Sequence, residues 1–162
     1  MRKYLLAIWY FCWHAIVSLE FLISLLAVCV YWYCSIVQEL FASIKTSNEL
    51  KLFLVAIPIA VSVWIFSEVR KIWWPDVDNK AVLMKWSDYP RLKICCVVAN
   101  LYAFGCSALA IIGTVFENSL HVGVGLYLLI TSIIVVLVDA SSCWLATLSI
   151  QQILESSRKD AP

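Results

Sequence analysis

From Ile94 to Phe116 the chain runs for 23 residues without a charged side chain. As a helix this run is about 35 Å long, enough to cross a hydrocarbon core of about 30 Å. Three more runs share its character. Tyr4 to Gln38 is broken only by Glu20, Leu52 to Ser67 carries no charge, and Val122 to Leu154 is broken only by Asp139. No water reaches backbone groups inside hydrocarbon, so each run must satisfy its own hydrogen bonds as a helix. The 63% hydrophobic and 14% charged composition excludes the alternative of a soluble domain, which needs about 25% charge to cover its surface. Disorder is excluded on the same grounds, since disordered chains are charge-rich and aromatic-poor.

The expected architecture is all-α: a single transmembrane domain over residues 1–162, a polytopic four-helix bundle. Its spans are placed near 13–37, 50–70, 94–116 and 122–146, with a polar loop at 71–93. The first run is too long for one span, at about 50 Å for 35 residues. Aromatic belts favour the membrane interfaces. Trp9, Tyr10 and Trp13 at one end, and Tyr31, Trp32 and Tyr33 at the other, locate its buried part. Met1-Arg2-Lys3 followed by apolar residues resembles a signal peptide, but bulky residues fill the place of a cleavage site. A retained first span is expected. The second run is short and contains Pro58, which membrane helices tolerate.

Basic residues set a direction. Ten of the twelve Lys and Arg precede the first run, lie between the second and third, or follow the fourth; only Lys45 and Lys51 fall on the other side. The positive-inside rule then puts both termini and the 71–93 loop in the cytoplasm.

That loop is the one sizeable polar segment. Pro75 is expected to end the helix leaving span two. Asp78 or Asn79 caps a short amphipathic helix over Lys80–Trp86, with Val82, Leu83 and Trp86 on the membrane surface, before Tyr89-Pro90 turns into span three. As a docking surface for a partner, the loop would use Trp73, Trp74, Asp76, Asp78, Trp86 and Arg91.

Charged groups inside a bilayer are costly and carry a functional hypothesis by default. Counted from the interfacial residues Trp13 and Lys93, Glu20 and Asn100 each lie about 10 Å inward. Asp139 lies about 25 Å from the outer edge at Val122. All three reach the cytoplasmic third of the membrane. Ser132, Val135, Asp139, Ser142, Ala146 and Ser149 follow a 3-4 spacing on one helix face. Ala99, Ala103 and Ser107 form a small-residue stripe suited to close helix approach. The candidate intramembrane cluster is Glu20, Asn100, Asp139 and Ser142. No Lys or Arg within a span neutralises the acids. They must therefore be protonated, share a proton, bond Asn100 or His14, or face a wet cavity.

The seven cysteines form no C-x-x-C pair, and adjacent Cys95 and Cys96 point about 100° apart on a helix. They read as small packing residues between helices or facing lipid. His14 and His121 fall on opposite sides, which argues against a zinc site. Phosphate loops, nucleophile elbows and basic nucleic-acid patches are absent from the sequence. No enzyme activity, catalytic residue, cofactor or metal is expected.

The short four-span plan with cytoplasmic ends resembles small bacterial immunity and exclusion proteins. That resemblance of architecture implies a non-catalytic inner-membrane protein acting by protein–protein contact. Its expected partners are the lipid bilayer and either its own copies or another membrane or cytoplasmic protein, with no nucleic acid. Two alternatives stand beside it: an oligomeric channel or transporter subunit with a path lined by Glu20, Asn100 and Asp139, or an assembly subunit of a larger membrane complex. The direction is checked by cysteine accessibility. Lys45→Cys should label only from outside and Lys80→Cys only from inside; labelling from one common side would end the scheme.

Overall fold

The computed structural model describes residues 18–44, 46–116 and 123–159. The side chains of residues 77, 78, 158 and 159 are not among those described. Trp9, Tyr10, Trp13, His14, Lys45 and His121 lie outside the described residues, and with them the inner aromatic belt. Among the described residues the chain forms six helices and no strand: α1 (Leu19–Tyr33), α2 (Ser35–Ser43), α3 (Asn48–Trp73), α4 (Val77–Lys85), α5 (Tyr89–Val115) and α6 (Val124–Lys159). Three of them, α3, α5 and α6, are long and apolar enough to cross a membrane, and the bent pair α1–α2 makes a fourth if it counts as one span.

The expected continuous span at 13–37 is broken within its described part. The chain bends by 88° between α1 and α2. Cys34 takes an extended conformation there (φ −108°, ψ 97°), and the Gln38 amide donates to the Tyr31 carbonyl at 2.8 Å. A side chain has entered the backbone ladder and taken over a carbonyl that the helix lost, which is a recognised cause of sharp kinks. The 15 residues of α1 reach only about 22 Å.

Helix α3 absorbs the shortness of the second run. It extends to 26 residues by drawing Glu49 and Lys51 into its start and Glu68, Arg70 and Lys71 into its end. The Ser47 hydroxyl caps it by accepting from the Leu50 amide at 3.3 Å. Arg70 and Lys71 sit in the last turn, where the helix dipole favours cations. Val55, Pro58, Ser62, Ile65, Val69 and Ile72 are its buried face.

Helices α3, α5 and α6 form the body of the bundle around Ile65, Ala103, Cys106, Val135, Val136 and Cys143. A second apolar layer, Val55, Ala110, Leu126 and Leu129, closes the end away from α4. The helices can approach closely because α5 turns Ala99, Ala103, Ser107 and Gly113 inward. A Cβ on Gly113 would stand 3.2 Å from the Gly125 carbonyl oxygen. Across this seam the Ser62 hydroxyl lies 2.9 Å from the Ala103 carbonyl and 2.8 Å from the Ser107 hydroxyl, which itself lies 2.9 Å from the same carbonyl. Two hydroxyl protons serve three contacts, so the triangle holds two hydrogen bonds at a time.

The loop helix differs from expectation. It begins at Val77 rather than Lys80, with Asp76 at the N-cap and no side-chain capping bond. Instead of resting on a membrane surface, Leu83 is 1% exposed and belongs to the bundle core, with Trp86 packed partly against it. The Tyr89 hydroxyl donates to the Ile72 carbonyl at 2.7 Å, and the Lys93 ammonium lies 4.5 Å from the Tyr89 ring centre. Pro90 stands in the first turn of α5, where its missing N–H is not needed.

At the opposite end Gly123 has φ +88°, and a Cβ there would lie 2.8 Å from the Phe41 carbonyl carbon and the Ala42 nitrogen. Gly123→Ala is strained twice, by conformation and by collision, and should cost about 1–3 kcal/mol. Ala103→Leu should cost a similar amount, about 1–3 kcal/mol, by overpacking the α3–α5 seam. Ser62→Ala should cost only about 0.6 kcal/mol, the average for a hydrogen bond between membrane helices. Unfolding in detergent by heat or denaturant checks this order.

Candidate functional site

The site begins with one side chain on α6. Asp139 is 0% exposed, and neither of its carboxylate oxygens has a hydrogen-bond partner. It is held there by the small-residue seam: α5 comes close enough to cover it, with Cys106 within electrostatic range. From the third side it is covered by α1, whose buried Glu20 carboxyl faces it. Both groups are acceptors only while ionised, so this contact becomes a hydrogen bond only when a proton is held between them.

Glu20 is also buried, at 7% exposure. Its position is fixed at both ends of α1. At the start, the Ser18 hydroxyl accepts from the Phe21 amide at 3.1 Å and places Glu20 in the first turn. Farther along, the Tyr127 hydroxyl of α6 donates to the Ala27 carbonyl at 2.7 Å. Tyr127 also meets Tyr31 at 4.7 Å and Phe41 at 5.1 Å between ring centres, which ties α1 and α2 to α6.

A cavity of about 570 Å³ opens beside Glu20, toward the α4 end of the bundle. Its walls include Leu19, Leu92, Val98 and Leu145, together with Ser142 and Arg91. Glu20 and Arg91 are the charged residues of its wall. Among the described residues, no three His, Cys, Asp or Glu side chains come together as metal ligands.

The structure thus brings Glu20 and Asp139 into one pair and sets Ser142 on the cavity wall. Asn100 is half-buried, and its carbonyl oxygen is a third buried acceptor without a hydrogen-bond partner. The expected stripe on α6 is met only in part. Ser132, Val135, Asp139 and Ala146 are buried, whereas Ser142 and Ser149 are exposed and Cys143 and Ile150 take the inner face. A strict 3-4 repeat drifts by about 20° per heptad on a straight helix, so the inner face moves on by one residue.

The cysteines occupy both expected settings: Cys96, Cys106 and Cys143 are buried and Cys29 and Cys95 exposed, all with free thiols. Sequence reasoning missed the cavity itself and the wall cysteines Cys95 and Cys96. Their opposite settings follow from the 100° step between neighbours on a helix. Of the expected docking residues, Trp73, Trp74 and Asp76 are exposed, as is Arg91, Trp86 is half-buried, and the Asp78 side chain lies outside those described.

If the cavity is wet, Ser142→Cys and Ser149→Cys should react with a water-soluble maleimide while native Cys96 and Cys143 stay unreactive. The measurement is alkylation of folded protein in detergent, with the exposed native thiols first replaced. Compared with protein-family models, with curated proteins and with solved structures, the chain matches none of them.

Proposed function

We propose that this chain is a channel- or transporter-type subunit of a bacterial inner membrane that binds a proton, or a small cation in its place, between Glu20 and Asp139. The observation that carries the reading is the fully buried Asp139 carboxyl, unpartnered on both oxygens and faced by a second acid at the end of a cavity. A carboxyl inside a membrane bundle is costly, and such groups mark proton and ion pathways. A proton held between the two acids supplies the missing hydrogen bond and removes one charge.

The bias of ten basic residues to two supports both termini, the α4 loop and the cavity mouth on the cytoplasmic side. Protons then reach the pair from the cytoplasm. The layer of Val55, Ala110, Leu126 and Leu129 stands between the pair and the other face. That closed end favours a site with alternating access over a permanently open pore, since apolar constrictions block ions. The charged and titratable groups around the pair are Arg91, Cys95, Cys96 and Cys106 from α5 and Cys143 from α6, and Glu68 from α3 acts on Cys143 in turn. None is a basic group buried against Asp139.

A second reading keeps the chain as a non-catalytic interaction protein of the immunity or exclusion type, acting as an oligomer or through another protein. Trp74 favours it, being 72% exposed beside Asp76 at the α4 end. Under that reading, changes at Trp73, Trp74 or Asp76 abolish activity and the acids do not matter. An assembly subunit of a larger complex would instead purify with another chain bound.

Reconstitution in liposomes loaded with a pH-sensitive dye distinguishes these readings. The proposal expects proton flux that Glu20→Gln and Asp139→Asn each reduce by at least about tenfold, as for a group acting directly on the transferred proton. Flux equal to empty liposomes, or equal in both variants, would refute it.

A further inference from the structure

We infer that the cavity beside Glu20 takes a lipophilic organic cation, an ammonium or phosphonium head on an apolar body, with the positive head at the Glu20–Asp139 pair. The inference rests on the cation-binding reading of that pair and names the class of ligand it serves.

Volume, charge and polarity along the cavity all point the same way. At about 570 Å³ it is far larger than a proton or a bare metal ion needs, and it lies within the range of small-molecule sites. Glu20 lines it, and behind Glu20 is the fully buried Asp139, whose two oxygens lack any donor. A cation with few or no N–H groups suits such a site, because charge attraction and not directed hydrogen bonding holds it. The remaining wall is mainly Leu19, Leu92, Val98, Ala99 and Leu145, which give an apolar body a place that water does not contest. Leu19 and Leu145 are themselves 57% and 63% exposed, so one wall opens sideways to the membrane, where a lipophilic ligand concentrates.

Arg91 is the one opposing charge in the wall. It is exposed and lies one helical turn before Cys95. Solvent screening at that position weakens its repulsion. Arg91 therefore lowers the affinity without abolishing it, and hinders inorganic cations entering from water more than a ligand arriving from the lipid side.

Binding displaces the shared proton. The ligand's positive charge lies against Glu20 on the cavity side and compensates the pair's negative charge, and the proton leaves through the cavity to water. No covalent bond other than O–H is broken.

The test uses tetraphenylphosphonium as the probe, because its charge does not change with pH. Calorimetry on purified full-length protein in detergent should show saturable binding, with about one proton released per cation into weakly buffered solution. Glu20→Gln and Asp139→Asn should each weaken binding on the order of thirtyfold, as expected when one member of a desolvated charge contact is lost. Arg91→Gln should tighten it about two- to fivefold in protein that remains monodisperse. Ser142→Trp, from an exposed position, should fill the cavity and prevent binding in protein that remains monodisperse. Binding unchanged in both acid variants would mean mere partition into apolar surface and would overturn the inference. Absence of saturable binding alongside acid-dependent proton flux would overturn the ligand class and leave the proton reading intact. Loss of both would remove the reading beneath it.

Discussion

A carboxyl group without a counter-charge in an apolar bundle is the constraint around which this structure is arranged. Placing an acid at the middle of a membrane helix costs about 2.5–3.5 kcal/mol on insertion scales. One hydrogen bond returns only about 0.5–1.5 kcal/mol. The pairing of Glu20 with Asp139 therefore does not make the acid favourable; it makes it tolerable, and the rest must come from packing. Ala99, Ala103 and Ser107 let α5 close over Asp139, and the Ser62 triangle ties α3 into the same seam. Helix α1 then covers the remaining side, so the acid is enclosed by three helices at once.

The two ends of α1 are held by different chemistry. Away from the cavity it is fixed by Tyr127, through a hydrogen bond to Ala27 and ring contacts to Tyr31 and Phe41. Gly123 permits the close approach of α2 that completes this clasp. Near the cavity its main polar contact is one acid facing another, which attracts only while a proton is present and repels when both are ionised. The helix that covers the site is thus anchored permanently at one end and conditionally at the other. On the proposed reading the same contact would bind the proton and hold the cover, which would link any motion that admits a ligand to proton loss.

The spans of α5 and α6 were legible in the sequence because they are long and almost free of charge. That Glu20 and Asp139 could meet was legible because a helix advances by a constant rise, so two acids can be counted along their runs. What was hidden depends on contacts between distant segments. The bend at Cys34 has no proline or glycine to announce it; it depends on Gln38 reaching back to Tyr31. The docking of Leu83 into the core depends on where α6 passes, which a nine-residue amphipathic pattern cannot reveal. Ser142 and Cys143 exchange places because a heptad count was laid on a helix of 3.6 residues per turn. The cavity could not be read at all, since it is the space that three helices leave between them.

The central claim is that Glu20 and Asp139 hold a proton between them, and infrared spectroscopy of the folded protein tests it most directly. At neutral pH the account predicts a protonated-carboxyl C=O band that shifts in D₂O, disappears in Asp139→Asn protein and changes frequency in Glu20→Gln protein, where Asp139 loses its partner. A spectrum with no such band, or one unchanged by either substitution, would contradict it.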